Sequence, residues 1–517
     1  MRFASIFAGV AALLPAFTRA FNNPLIWNDL ADLDIRNVNG VYYYSASTMH
    51  YSPGAPILRS YDLFNWEYVG HSVPTLNFGS KYDLTNGQRA YVNGIWASFF
   101  DYNSHTSQWI WGGCIDFAKT YIYTASAVNG TWTQHATINK CYYDCGLLVD
   151  DDGTLYVSYS SSGSIYVAQL NSGLNGETRS QLVYTPTSAQ GTLEGTRMYK
   201  RNGLYYILTD HPASVEYTLK ASSPWGPYTA KALVNSVATP VSGTGNPHQG
   251  GIVQHSNGNW YYMAFVDAYP GGRVPVLAPI TWGSDNFPSV TLVNGGWGAS
   301  YPDPTTANPR PSLTGTDSFT SLGPQWEWNH NPDTSKFSVG SGGLRLSTAS
   351  VTYDLYQARN TLTHRILGPS STATIKLSFG GMLDGDRAGL VLLRDYSGWV
   401  GIGRDNGTYA LRVQTGLALD MNNSWTTSSG GSSPVWLGVP SGTTTVWLRI
   451  AANIAAGSGR TASFSYSYDG STFTNTGASL TLVNSWEFFM GYRFGIFNYA
   501  TLNLGGSVTV PSFTLST

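Results

Sequence analysis

Apolar and polar residues alternate in short runs along this chain, and the stretches between the runs lack the three-to-four-residue spacing of a helix face. The runs recur in one order: a Gly-containing turn, an aromatic strand, small polar residues, then a further strand. "NGVYYYSAS" at 39 leads to "ILRSYDLFNWEYVG", "SQWIWGGC" at 107 to "KTYIYTASAVNGTWTQ", and "DGTLYVSYS" at 152 to "GSIYVAQLN". "NGLYYILTD" at 202 leads to "VEYTLKASSPWGPY", and "NGNWYYMAF" at 257 to "GRVPVLAPITWG". The period is close to fifty residues. One four-stranded sheet cannot bury both faces alone but a ring of sheets can, so the repeat predicts a β-propeller of five blades over roughly 22–298. A sandwich with similar hairpins explains the fixed spacing less well.

Beyond the repeat the pattern changes. "SYPDPTTANPRPSLTGT", 300–316, carries four prolines and no apolar alternation, which reads as a linker. Residues 317–517 resume short strands ("GLRLSTA", "ATIKLSF", "TTVWLRIAA", "TASFSYSYDG", "SVTVPSFTL") at the spacing of a β-sandwich. The expected fold class is therefore all-β, with a propeller over 21–299 and a sandwich of jelly-roll type after the linker. A length of 517 residues fits two domains rather than one core.

Composition narrows the ligand. Only 11% of residues are charged and the net charge is -2, so neither nucleic acid nor an acidic membrane surface is an expected partner. Gly 57, Tyr 34 and Trp 17 describe a turn-rich protein with aromatic surfaces, suited to a neutral ligand.

The segment "MRFASIFAGVAALLPAFTRA" reads as a secretory signal peptide over 1–20, cut after Ala20. No later run reaches the roughly 18 apolar residues of a membrane span, so a secreted, extracellular chain is expected. Sequons at Asn129, Asn406 and Asn422 are glycosylation candidates on that route. If 141–145 is extended, Cys141 and Cys145 lie roughly 13 Å apart and cannot bridge each other. Cys114 then pairs with one of them, leaving one thiol free.

The candidate chemistry lies in acids at the starts of strands. "NDLADLDIRNVNGVYYYSAS" clusters Asp29, Asp32 and Asp34, and Asp32 and Asp34, two apart, are expected on one face of the first inner strand. Asp150, Asp151 and Asp152 precede Gly153 and read as a solvated turn. Asp144 is different, because a lone carboxylate inside an apolar strand is costly unless paired or functional. Glu194 in "GTLEGTRMYKRNGLYY" again precedes a strand and a Gly. In a propeller such positions converge on the central axis.

The dispersed motifs "ADLDIRNVNGVYYYSAS", "WAS" at Trp96, "DCGLLVDDDG", "EGTRMYKRNGLYY", "GTGNPHQGGIV" and "GGRVPVLAPITWG" resemble, in order, the family-43 glycoside hydrolases. These are five-bladed propellers that remove arabinofuranosyl or xylosyl units from plant cell-wall polysaccharides with inversion. "MLDGDRAGLVLL" and "MGYRFGIFNYAT" resemble the concanavalin-like sandwich that follows many of them. The resemblance implies Asp32 as general base, Glu194 as general acid and Asp144 as the carboxylate that tunes and orients the acid. The Pro that usually follows the base is here Leu33, and Asp34 is the runner-up. Arg273 matches a family arginine near the acid, and His248 a central-channel histidine that touches water or a metal ion such as calcium. No cofactor is required for the reaction.

Inversion needs one acid to protonate the leaving oxygen and one base to activate water on the opposite sugar face. Burial beside Asp144 would keep Glu194 protonated. Substrate contacts are expected from His50 and Tyr51 in "TMHYSPGAPIL" and from Trp96, besides His248 and Arg273, and an aromatic such as Phe494 or Phe497 is a candidate from the sandwich. The resemblance favours an α-L-arabinofuranosidase acting on arabinoxylan. A β-xylosidase acting on xylo-oligosaccharides is the nearest alternative, and a non-catalytic carbohydrate-binding propeller is the alternative of another class. An invertase-type hydrolase would carry a Trp-Met-Asn-Asp-Pro string, which is absent.

Overall fold

A computed structural model describes residues 19–303 and 308–517. The expected signal peptide falls outside them except for Arg19 and Ala20.

The first half is five four-stranded antiparallel sheets, each built from strands that follow one another in the chain except in the first, where a short strand that pairs elsewhere intervenes. Blade one comprises Asp34–Val38, Val41–Ser45, Gly54–Ser60 and Glu67–Val73. Blade two comprises Phe99–Asn103, Gln108–Ile115, Lys119–Ala125 and Thr133–Ile138. Blade three runs from Tyr143–Val149 to Glu177–Tyr184, blade four from Glu194–Arg201 to Thr229–Asn235, and blade five from His248–Gln254 to Pro288–Val290. The aromatic residues that marked the repeat fill the layers between sheets: Trp109, Trp111, Tyr123 and Trp132 pack beside blade two, and Tyr261 and Tyr262 beside blade five.

Two arginines tie the hub. Arg36 of blade one gives Nε to the Phe100 carbonyl (3.2 Å) and Nη2 to the Leu147 carbonyl (2.8 Å). Arg197 of blade four donates to the carbonyls of Leu33, Cys145 and Asp32 at 2.8, 2.8 and 2.7 Å. Both are buried among backbone carbonyls of four blades, so their charges also satisfy polar groups that sheet ladders leave open at the axis. Blade five closes on blade one through Asn37 Nδ2 donating to the Gln254 carbonyl at 2.8 Å.

The stretch read as a linker is partly ordered. Ser300–Pro302 pairs with Ala20–Asn22, and Gly315–Asp317 already belongs to the sandwich. Cys114 and Cys141 form the disulfide and Cys145 is a buried free thiol.

Residues 315–516 form two eight-stranded sheets packed around Leu390, Ile402, Leu448, Phe464, Ile496 and their neighbours. One strand of the second sheet comes from the propeller. Tyr51–Ser52, in the loop after the aromatic strand of blade one, pairs with Trp326–Asn329 at the edge of that sheet. A mixed core then joins the domains: Met49, Tyr51, Tyr91 and Val92 of the propeller pack with Tyr356, Trp399, Phe488 and Phe497 of the sandwich. Each large side chain buried there stabilises the junction by roughly 1.5–3 kcal/mol.

Candidate active site

Three inner strands begin with the same local irregularity. The ladder shifts register between Tyr143 and Gly146, between Glu194 and Arg197, and between His248 and Gly251. Each shift carries a left-handed residue: Asp144 at φ 49°, Gly195 at φ 66° and Gln249 at φ 42°. A bulge re-aims the side chains beside it, so three blades each turn polar groups toward the axis at one end of the ring. At Gly195 a Cβ would run into the Asp210 carboxylate, which explains the glycine after Glu194. Blade one uses a variant of the device. Its strand starts at Asp34, and Asp32 lies just before it at φ 56°, with its carbonyl held by Arg197.

That conformation overturns the expectation that Asp32 and Asp34 share a face. Asp34 is fully buried between blades, where it accepts from the Phe100 amide at 3.0 Å and from Arg36. Asp32 turns the other way, where Ser47 Oγ donates to Oδ2 at 2.7 Å and Arg273 meets both oxygens, Nη1 to Oδ1 at 2.7 Å and Nη2 to Oδ2 at 3.1 Å. Asp29 caps a further contact: Oδ1 accepts from the Arg273 amide at 2.8 Å and Oδ2 from the Gly491 amide of the sandwich at 3.0 Å.

Asp144 and Glu194 join Asp32 in one electrostatic cluster. Burial pushes Glu194 above the ordinary carboxyl range, the Asp32 charge adds to this, and the Tyr143 hydroxyl, donating to Oε2 at 3.4 Å, pulls back. Asp144 is raised further by burial and then by the like charges of Glu194 and Asp32, against Arg197 and the Gly195 amide. Burial is thus the main force that holds a proton on Glu194, within a cluster of like charges that Asp32 and Asp144 share with it.

The remaining expected residues divide. Arg273 belongs to the cluster. Trp96 is half-buried at the rim, its ring 4.8 Å from that of Phe489. His248 lies at the bulge of blade five, its Nδ1 2.9 Å from the Asn246 carbonyl and its ring against Phe265. The groups around His248 do not fit a cation: only Asp267 approaches Nε2, at 4.0 Å. Among the described residues no three His, Cys, Asp or Glu side chains are arranged to hold a metal.

His50 and Tyr51 do not reach the site. They are 0% and 1% exposed, with His50 against Tyr91 and His330 and with the Arg493 guanidinium over the Tyr51 ring. An aromatic loop pattern serves a domain junction as well as a sugar, and here strand pairing with the sandwich takes it. Phe494 and Phe497 are sandwich and junction core. The sandwich instead contributes the loop before them, where the Phe489 carbonyl accepts from Arg273 Nε at 3.1 Å. Asn129, Asn406 and Asn422 are all exposed.

Comparisons with known proteins agree with this architecture. The model of glycosyl hydrolases family 43 matches residues 21–288, and that of the beta xylosidase C-terminal concanavalin A-like domain matches 316–515. A beta-xylosidase of Formosa agariphila is 27% identical over 95% of this chain and 89% of its own length. A non-reducing end alpha-L-arabinofuranosidase of Bacteroides ovatus is 25% identical over 73% of this chain and 74% of its own. A solved structure, 44% identical with a TM-score of 0.92, covers 96% of this chain and all of its own. It is that of a family-43 glycoside hydrolase whose active site was engineered to display both endo-xylanase and exo-arabinofuranosidase activity. With propeller and sandwich both matched in order, the chain belongs to glycosyl hydrolase family 43 and is a glycoside hydrolase of its xylosidase and arabinofuranosidase group.

Proposed function

We propose that the protein is an exported, inverting, exo-acting α-L-arabinofuranosidase that removes arabinofuranosyl branches from arabinoxylan. Glu194 protonates the leaving oxygen, Asp32 activates the water, and Asp144 orients and tunes Glu194. The observation that carries this reading is the opposed state of two carboxyls in one cluster: Glu194 is pushed up by burial, while Asp32 is gripped through both oxygens by Arg273. One group keeps a proton to give and the other keeps lone pairs for water.

The choice of sugar leans on the 44% identical structure, whose engineered form displays both endo-xylanase and exo-arabinofuranosidase activity. Beta-xylosidases among the relatives favour the second reading, in which the same carboxyls release xylose from xylo-oligosaccharides. Export is supported by the N-terminal sequence and by the Cys114–Cys141 disulfide.

A pair of p-nitrophenyl glycosides, α-L-arabinofuranoside and β-D-xylopyranoside, followed by product analysis on arabinoxylan, tests the sugar. Preferential arabinose release is expected; xylose as the main product would replace this reading with the second. Proton NMR of the first-formed sugar tests inversion. Loss of about 10²–10⁴-fold in kcat on Glu194→Gln is the expected signature of general acid catalysis. Unchanged turnover would remove Glu194 from the role.

A further inference from the structure

Away from the carboxyl cluster, a cavity of about 420 Å³ opens beside the outer strand of blade one, under the 311–318 segment. Glu67 and Tyr68, in the strand of that blade farthest from the axis, form one wall with Asn28, and His364 and Arg365 form another. Among the described residues the lining shares none with the carboxyl cluster, which gathers at the starts of the innermost strands. The volume is that of a small-molecule site, roughly 300–1,000 Å³.

Polar groups line this space with bonding capacity left over. Arg365 is 2% exposed, gives Nε to the Asp29 carbonyl at 2.8 Å and Nη1 to Glu327 at 2.9 Å, and keeps Nη2 without a partner among the described residues. A buried donor left open is costly, and it marks a place where a ligand can pair. Burial lowers the His364 imidazole to about 4, so the ring is neutral. Its Nδ1, 2.7 Å from the Arg365 carbonyl, carries the proton and leaves Nε2 as an acceptor. Glu67 takes Arg59 and Arg310 through Oε1, which leaves Oε2 as a second acceptor.

The charges are already answered. Glu67 faces two arginines, Arg365 faces Glu327, and Asp317 accepts from the Trp326 indole at 2.8 Å and the Phe319 amide at 2.7 Å. An ion finds no unopposed charge there. Leu313 and Leu367 add apolar wall. Open acceptors, one open donor and apolar patches suit a neutral ligand with several hydroxyls and C–H faces, which is a short sugar. The site also touches the reaction. Asp29, whose carbonyl Arg365 holds, accepts through Oδ1 from the Arg273 amide at 2.8 Å, and Arg273 clamps Asp32.

We infer that this cavity is a second sugar site, separate from the one where hydrolysis occurs, that takes a neutral pentose or pentose disaccharide and acts on Asp32 through Arg365, Asp29 and Arg273. The inference goes beyond the activity proposed above and holds for either reading of its sugar.

The test uses the full chain carrying Glu194→Gln with isotope-labelled tryptophan, titrated with xylobiose and with L-arabinose. The Trp326 indole reports the cavity wall and that of Trp96 the active-site rim. The expected result is that the two NMR signals move with separate dissociation constants. Ser312→Phe, at an exposed position on the cavity rim, should abolish the Trp326 shift and spare that of Trp96. His364→Phe keeps a ring between Trp326 and Phe513, loses Nε2, and should weaken binding about two- to tenfold. In the active enzyme the released pentose should lower kcat as well as raise KM, and in Ser312→Phe it should only raise KM. A Trp326 signal that stays still, or one that follows Trp96 with a single constant in wild type and variants alike, would overturn the site and leave a hydrated gap between domains. Purely competitive inhibition of the wild type would overturn the link through Asp29. Failure of the arabinoxylan reading changes only which pentose is released, and the Trp326 titration still decides the cavity.

Discussion

Arg273 meets Asp32 through two parallel contacts, 2.7 and 3.1 Å, while its Nε is spent on the Phe489 carbonyl of the other domain. The planar fork holds the carboxylate in one orientation, and the sandwich loop holds the fork. Lysine supplies a point charge whose three donors share one nitrogen, so it cannot reproduce the planar fork that meets both Asp32 oxygens and the Phe489 carbonyl at once. Arg273→Lys is expected to lower kcat/KM by on the order of 10²-fold, since displacement of a reacting group by about 1 Å costs that much. Circular dichroism and melting temperature should change little by comparison. A variant with near-normal kcat/KM would mean that Asp32 needs no such clamp.

The blades were legible because one sheet face after another is filled with Tyr and Trp at a fixed period, and Asp32, Asp144, Glu194 and Arg273 were legible through the motifs around them. The partnership of Tyr51 with Asn329 was not. It joins residues far apart in sequence, and the same aromatic loop would suit a sugar platform. The bulges were half-written in "DCG", "EG" and "HQGG", where a glycine lies close behind each polar residue, but only the ladder reveals that they share one geometry. Phe489 was missed because "NSWEFFMGYRF" has no strand alternation to set its direction. Asp210 and Glu216 could have been found by the argument used for Asp144, as lone acids inside the apolar strands Leu204–His211 and Val215–Ala221.

Tyr143 bears on the pH profile. Its hydroxyl hydrogen-bonds Glu194 Oε2 and stabilises the ionised form, so it lowers a group that burial raises. Tyr143→Phe keeps the ring and removes that donor. Glu194 should then hold its proton to higher pH, and the alkaline limb of kcat/KM should move upward. The profile on an aryl arabinofuranoside checks the sign. A limb that moves downward or stays fixed would show that the alkaline limit belongs to another group.

Glu327 joins the domains electrostatically. It is fully buried in the strand that pairs with Tyr51–Ser52, and it takes His71 of blade one at 3.0 Å, Arg365 at 2.9 Å and Arg493. Burial alone would raise this carboxyl, but the charges of Arg365 and Arg493, with the His71 bond, hold it well below the ordinary range. A depressed carboxyl contributes stability that is present above its unfolded value and lost as pH falls toward the folded one. Glu327→Gln leaves two buried guanidinium groups short of a partner and should destabilise the fold by roughly 3–5 kcal/mol at neutral pH. The gap between variant and wild type should narrow as pH falls below about 4.5, where the unfolded wild-type chain takes up a proton that folded Glu327 still refuses. Denaturant unfolding at pH 7 and pH 3 measures both arms.

Glu216 should show the reverse sign. It is fully buried beside Asp210, its neighbour across the ladder, which in turn faces Glu194. None of the four carboxyl oxygens of Asp210 and Glu216 has a hydrogen-bond partner in the described structure. Burial is the largest influence on Glu216 and, against the Arg197 charge that favours ionisation, raises it to about 8. The folded state therefore keeps a proton that the unfolded chain has already released, and wild-type stability falls as pH rises from about 4.5 to about 8. Glu216→Gln places a neutral isostere there. It should match the wild type near pH 4 and gain on it steadily to about pH 8, by up to a few kcal/mol, with no further gain above. An advantage that does not depend on pH would mean that Glu216 titrates alike in both states, and that its burial beside Asp210 imposes no proton on the fold.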